Sequence, residues 1–236
     1  MNLFDYYLNT VHIKDPRSVV LMDTSQAMYT PKKYTDIMVD LETLDVIASA
    51  SILSIGAVAF NLNEQETVRD YLYGADCTAR SFEIVVDLKN QVEWDRRTIG
   101  ADTFRWWLGQ DAAAKAVLTK KGEALWYALE AFQQWANQVG VNINETRLWG
   151  NGAAFDNAIL RDAYGKCGIE HPIRFRNDMC YRTLKTMFMP GKVEVEDQNL
   201  LTAHNARHDA IFQAVILQKL WAKIKPGRIT QEMIGS

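Results

Sequence analysis

The chain has 236 residues, of which 48% are hydrophobic, and its formal net charge is −3 at pH 7. This size allows one sizeable core, so we expect a single catalytic domain (36–225) with an N-terminal extension (1–35) and a C-terminal tail (226–236). The net charge argues against a protein coated in positive charge for non-specific nucleic-acid binding.

We expect no membrane-spanning segment, and no disulfide bonds or zinc site formed by the cysteines. No stretch reaches the roughly 20 apolar residues that cross a bilayer, and the first residues lack a basic segment followed by an apolar one. We therefore expect a cytoplasmic protein. Cys77, Cys167 and Cys180 are odd in number and lack CxxC spacing, so they predict neither disulfides nor a zinc site.

The first predicted elements are strands. Residues 36–41 and 52–60 are β-rich apolar runs, which indicate two strands of a buried sheet. The connection over 43–51 is too short for a crossover helix, so an antiparallel hairpin is favoured. A third strand is expected within 66–73 or within 82–88.

Helical periodicity begins at Asp102, which we expect to cap a helix that carries Trp106 and Trp107. Residues 122–140 predict a second helix, whose apolar stripe is Leu125, Trp126, Leu129, Phe132 and Trp135.

Strand and helix then alternate. Residues 147–149 read as a short strand that leads into a helix over 154–164. Further helices are predicted over 181–188, with Asp178 as the cap, and over 208–223. The fold class is therefore α/β, with a mixed sheet that begins with antiparallel strands and is flanked by helices.

Asp40 and Glu42 are the first candidate site residues. They lie two positions apart on a predicted strand, so both carboxylates point to the same side of the sheet. Hard divalent cations such as magnesium or manganese prefer such oxygen ligands. The alternative is a pair that is simply solvated at the end of a strand.

Asp156 lies at the start of a predicted helix that follows a strand, where open α/β sheets gather functional residues. Its alternative role is a first-turn acid that complements the helix dipole.

His204 and Asp209 are five positions apart, which does not place them on one helix face, so we expect His204 on the loop before the helix. A histidine beside a metal-bound carboxylate suits a general base. The alternative is a solvent-exposed imidazole. His208 is a second candidate for the general base, but it is adjacent to Asp209 and we expect its side chain to point away from the site.

These three motifs, in this order, resemble those of the DEDDh exonucleases, a superfamily that includes proofreading subunits, RNase T and oligoribonuclease. Within it, the chain is most similar to small phage-type or prophage-type exonucleases of the exoribonuclease-like branch. The resemblance covers residues 36–223. The four acids of the family pattern fall on Asp40, Glu42, Asp156 and Asp209, and its histidine falls on His204.

The resemblance implies an RNase H-like fold, two Mg²⁺ or Mn²⁺ ions and 3'-5' release of nucleoside monophosphates from single-stranded RNA or DNA. Asp40 would bind both ions, Glu42 and Asp209 one of them, and Asp156 the other. His204 would be the general base. A homodimer is a further expectation, because many relatives are dimers.

Substrate contacts are expected from residues beside these motifs: Leu41, Thr43, Leu44, Trp107, Asn151 and Phe155. The chain departs from the family pattern at two places, where Leu44 follows the threonine of the first motif and Asn151 and Gly152 precede the second. Aromatic side chains can stack on splayed bases. The helical spacing of Trp106 and Trp107 equally fits a core position. Phosphate contacts are expected from Arg96, Arg97, Arg105 or Arg207, each of which can also be a plain surface charge.

Three other functions remain open from the sequence. The fold could serve as a nucleic-acid-binding or regulatory module without catalysis, or as an RNase H-type endonuclease. The extension over 1–35 could also dock to a protein partner.

Overall fold

The computed structural model describes residues 32–224, which fall within one compact unit. The expected tail, and all of the expected extension except residues 32–35, lie outside the described residues, as does the partner role expected of that extension. Tyr34 is buried, and its backbone N–H donates to the carbonyl of Val139 at 2.8 Å.

Five strands form one sheet: β1 (Asp36–Thr43), β2 (Ile52–Phe60), β3 (Ser81–Val85), β4 (Arg147–Gly150) and β5 (Asp178–Cys180). Their order is β3-β2-β1-β4-β5. β1 pairs antiparallel with β2, which pairs antiparallel with β3, whereas β1–β4 and β4–β5 are parallel pairs. The expected hairpin and mixed sheet are confirmed.

Eight α-helices lie among the described residues: α1 (Val68–Tyr73), α2 (Leu88–Glu93), α3 (Ala101–Leu108), α4 (Ala112–Lys115), α5 (Leu125–Val139), α6 (Ala158–Cys167), α7 (Tyr181–Phe188) and α8 (Ala206–Ile224). A turn of π-helix, Ala153–Asn157, precedes α6. Short 3-10 turns cover Ala116–Thr119, Phe175–Asn177 and Gln198–Leu200. No helix among residues 32–224 is long and apolar enough to cross a bilayer.

The alternation of side chains along β1 divides the core into two layers. Ile37, Val39 and Leu41 pack with α5 and α6 on one face. Met38 packs with α8 on the other, in a cluster that includes Trp149 of β4. Asp40 follows Met38 by two residues on β1, so its side chain points to the same face, toward α8 rather than toward α5.

The third strand is β3, which overlaps the second of the two expected ranges, and residues 66–73 contain helix α1. Three other local expectations are wrong in detail. Asp102 does not cap α3, because the N-cap is Gly100. Trp126 departs from the buried stripe of α5, since it is 54% exposed. Asp178 does not cap α7; its carboxylate accepts hydrogen bonds from Arg161 at 2.6 and 2.7 Å.

Arg97 is not available to contact a substrate phosphate. It is buried, and its guanidinium donates to the carbonyls of Ala50 and Ala48 and to the carboxylate of Asp162. Arg97 therefore joins the loop after β1 to helix α6. The described thiols Cys77, Cys167 and Cys180 are free, as expected.

Candidate active site

Asp40 and Glu42 lie on the α8 side of β1 and are almost buried, at 9% and 7% exposure. Their cross-strand partners on β2 are Gly56 and Ser54. The small partners leave space above this part of the sheet, and the first turns of α8 occupy it. Gln213 of α8 donates from Nε2 to Oδ1 of Asp40 at 2.7 Å.

Asp156 reaches the same place from the π-helical turn after β4. A Cβ on Gly150, the last residue of β4, would lie 2.9 Å from the Cβ of Asp156, so this close approach needs glycine. Oδ1 of Asp156 accepts from the backbone N–H of Leu41 at 3.2 Å. Its Oδ2 is buried and has no hydrogen-bond partner among the described residues.

His204 and Asp209 complete the group from the loop before α8 and from its first turn. Ligand atoms of Glu42, His204 and Asp209 lie within 4.8 Å of one another. The backbone N–H of His204 donates to Oδ2 of Asp209 at 3.1 Å. His204 lies on a loop, as expected, and His208 points elsewhere, since its Nδ1 accepts from the N–H of Thr202 at 2.9 Å.

Burial raises the pKa of all four acids, and repulsion from neighbouring carboxylates adds to this at Asp40 and Glu42. Burial is the main cause at each, and it raises the pKa of Glu42 to about 8, that of Asp156 to about 7 and that of Asp209 to about 6. The pKa of Asp40 is raised well above its usual value by burial and then by repulsion from the other three carboxylates. Cations at this position would offset both the cost of burying charged carboxylates and the repulsion between them.

The residues fit divalent ions of the magnesium or manganese type. Their donors are carboxylate oxygens, which these ions prefer. The unpaired Oδ2 of Asp156 is a buried acceptor that, among the described residues, no donor satisfies. An ion at this oxygen would supply the missing partner.

Gln213 is a functional candidate that the sequence analysis missed. It follows Asp209 by four residues on α8, so the two side chains lie on the same helix face. That spacing could have identified it once Asp209 was placed on a helix. Its amide fixes one oxygen of Asp40, and its own Oε1 is buried without a partner among the described residues.

A cavity of about 410 Å³ adjoins the acids. Its lining residues are Leu41, Glu42, Thr43, Val46, Asp102, Thr103, Trp106, Trp107 and Phe155. Trp106 is 47% exposed, whereas Trp107 is 1% exposed and donates from its indole to the carbonyl of Thr43 at 2.8 Å. The ring of His204 meets that of Trp106 edge to face at 5.1 Å between centroids.

The predicted substrate residues divide into two groups. The structure brings Leu41, Thr43, Trp107 and Phe155 to this cavity. Leu44 is fully buried in a hydrophobic cluster with Leu53, Ala114 and Trp107, and it is not itself among the lining residues. Asn151 is not among the lining residues either, but its backbone lies close enough to Asp156 to lower the pKa of that carboxyl group.

Four acids and a histidine thus meet on one face of a mixed five-stranded sheet, over its central strand β1. Residues 35–221 match the model of the family described as the 3'-5' exoribonuclease Rv2179c-like domain. The chain belongs to this family. No curated protein matches it in sequence.

Solved structures show the same fold at low identity. Cell-death related nuclease 4 (CRN-4) is 17% identical with a TM-score of 0.53, and the alignment covers 80% of this chain and 64% of that one. The complex of E. coli ExoI with single-stranded DNA, in its zinc-bound form, is 12% identical with a TM-score of 0.52, covering 84% and 42%. The chain thus spans less than two thirds of the length of either protein.

Proposed function

We propose that this chain is a divalent-metal-dependent 3'-5' exonuclease that releases nucleoside 5'-monophosphates from single-stranded nucleic acid. One observation carries the proposal: Asp40, Glu42, Asp156 and Asp209 come from three separate segments and meet, largely buried, beside His204. Four largely buried acids would destabilise the fold unless cations neutralised them, which favours a role in binding metal.

Asp40, Glu42, Asp156 and Asp209 would hold two Mg²⁺ or Mn²⁺ ions, with Asp40 shared between them. Bound ions of this type activate a water nucleophile and stabilise the charge that develops on the phosphate and the leaving oxygen. Gln213 orients Asp40 by donating to one of its oxygens, which leaves the other oxygen free to act as a ligand.

His204 is proposed as the general base. Its imidazole lies beside Glu42 and Asp209, so a water held by the acids would be within its reach. The contact of His204 with Trp106 and its backbone hydrogen bond to Asp209 hold the ring at this edge of the site. The imidazole would accept the proton of the attacking water.

The 3'-terminal nucleotide is proposed to enter the cavity beside Glu42. Leu41, Phe155 and the exposed face of Trp106 offer apolar surfaces on which a base can stack. Thr43 and Asn151 remain predicted polar contacts, and Trp107 would act mainly as the buried support of Trp106, whose ring it meets at 5.2 Å.

RNA is the first substrate class to test, because the family is described as exoribonuclease-like. Single-stranded DNA is the second, since ExoI was solved in complex with it. Discrimination between them would depend on contacts to the 2'-hydroxyl.

Matched 5'-labelled RNA and DNA oligonucleotides, incubated with the protein and Mn²⁺, test the proposal. We expect a ladder that shortens from the 3' end and a mononucleotide product, both abolished by Asp209→Ala in a folded protein. An RNase H-type endonuclease would also cut a closed circular RNA strand paired with DNA, which an exonuclease leaves intact. Binding without any product would favour a regulatory module instead.

A further inference from the structure

Glu83 of β3 lies in line with the acids of the site. It is the cross-strand partner of Gly56, which is itself the partner of Asp40. Directly paired residues point to the same face of a sheet, so Glu83 faces the same side as Asp40, two strands away. The start of α8 rests on Gly56, between the two carboxylates.

The carboxylate of Glu83 holds the loop that carries His204. Oε1 of Glu83 accepts from Nδ2 of Asn205 at 2.6 Å, and Oε2 lies 3.6 Å from Nε of Arg207. The side chain of Glu83 is 33% exposed. These contacts link Asn205 and Arg207, the neighbours of Ala206, to strand β3.

The remaining polar contacts of the loop are internal or involve α8 alone. Oδ1 of Asn205 accepts from the N–H of His208 at 2.9 Å and so caps α8. The N–H of Thr202 donates to Nδ1 of His208, and that of His204 donates to Asp209. Among residues 32–224, Glu83 therefore provides the side-chain link from this loop to the sheet that carries Asp40.

The backbone of His204 needs such support. Its φ of +59° lies in the left-handed region, which costs a non-glycine residue free energy unless neighbouring contacts hold it. Asn205 follows it immediately, so a fixed Asn205 side chain limits the rotation available to His204.

We propose that Glu83 is a positioning residue for His204. By holding the side chain of Asn205, it fixes the left-handed turn that presents the imidazole to Glu42 and Asp209. This inference rests on the proposed role of His204 as general base. A displacement of about 1 Å in a reacting group can lower the rate on the order of a hundredfold, so the loss of this link would be measurable.

Glu83→Ala should lower kcat on the order of tenfold to a hundredfold, with little change in KM for a short oligonucleotide. Glu83→Gln keeps an oxygen that accepts from Asn205 and should retain most of the activity. Glu93→Ala removes an exposed glutamate of α2, for which the described residues supply no ion pair, and serves as the control. Equal losses in the Ala and Gln variants would contradict the proposal.

A double-mutant cycle separates a role through His204 from a direct role. In a His204→Ala background, Glu83→Ala should have no additional effect on the residual Mn²⁺-dependent rate. An undiminished effect in that background would overturn the proposal.

Proton NMR of the imidazoles gives a readout that does not depend on activity. The chain has four histidines, and the ring of His204 lies against the indole rings of Trp106 and Trp107, whose ring currents shift its protons. Glu83→Ala should move these resonances toward the values of an exposed histidine, whereas Glu93→Ala should leave them in place. Unchanged resonances in Glu83→Ala would refute the inference even if activity fell.

The two proposals fail in different ways. A wild-type protein without nuclease activity would contradict the proposed function, and the imidazole resonances would still report whether Glu83 positions His204. An active wild-type protein with an unaffected Glu83→Ala variant would contradict only the positioning role.

Discussion

Gly56 of β2 lies directly against the backbone of Ala206, the first residue of α8. A Cβ on Gly56 would be only 2.1 Å from the carbonyl carbon of Ala206 and 2.1 Å from the nitrogen of Arg207. Because Gly56 is also the cross-strand partner of Asp40, this contact sets how closely Asp209 and His204 approach β1. The absence of a side chain at Gly56 thus allows α8, which carries Asp209, to lie close to β1, which carries Asp40.

Gly56→Ala should therefore destabilise the protein and reduce its activity. The new methyl group must displace backbone rather than a flexible side chain, so we expect a loss of about 1–3 kcal/mol in the free energy of unfolding, measured with urea. Gly165→Ala is the control, since open space surrounds Gly165 in α6, and it should stabilise the protein by roughly 0.5–1 kcal/mol. A Gly56→Ala variant as stable and active as the wild type would show that α8 can move aside.

The stability of the metal-free protein should fall as the pH rises from 5 to 8. The folded-state pKa values of Asp209, Asp156 and Glu42 are raised to about 6, 7 and 8, so over this range the folded state binds more protons than the unfolded state. Each unit of raised pKa contributes about 1.4 kcal/mol, so the loss should amount to several kcal/mol, measured by thermal unfolding in EDTA. Saturating Mn²⁺ should reverse the trend, because the ion binds the deprotonated acids.

Asp40→Asn should abolish nuclease activity while raising the Tm of the metal-free protein at pH 8. The substitution removes a buried charge that the other acids repel, and the amide oxygen can still accept from Gln213. The stabilisation that Mn²⁺ gives the wild type should be lost. A variant that is still stabilised by Mn²⁺ to the same extent would argue against Asp40 as a ligand.

His204→Ala should lower kcat by about 10²- to 10⁴-fold, as expected for the loss of a general base. The four carboxylates remain, so calorimetric titration should show Mn²⁺ binding close to that of the wild type. If Mn²⁺ binding and activity were lost together, His204 would be a metal ligand instead, a role that its position beside Glu42 and Asp209 would also allow.

Trp106→Ala should raise KM for short oligonucleotides by roughly tenfold to a hundredfold, which corresponds to the loss of one stacked base. Trp94→Ala is a matched control, because Trp94 is 77% exposed and is not among the residues that line the cavity. Trp107→Ala should instead lower the Tm, since its buried indole supports the loop after β1 through Thr43.

The sequence alone determined the elements that carry the chemistry. The apolar runs of β1 and β2 and their short connection predicted the hairpin, and the two-residue spacing placed Asp40 and Glu42 on one face. The five-residue spacing of His204 and Asp209 separated a loop residue from a helix residue, as the structure confirms. These inferences succeeded because they depend on local periodicity.

Only the tertiary structure decided what the distant segments do to one another. The contact of Gly56 with Ala206, the hydrogen bond from Gln213 to Asp40 and the link from Glu83 to Asn205 each join residues far apart in the chain. The exposure of individual side chains also could not be predicted from the sequence. Trp106 and Trp107 are neighbours on α3, yet the first is 47% exposed and the second 1%. Periodicity identifies the faces of a helix, but the packing of other segments against it determines which face is covered.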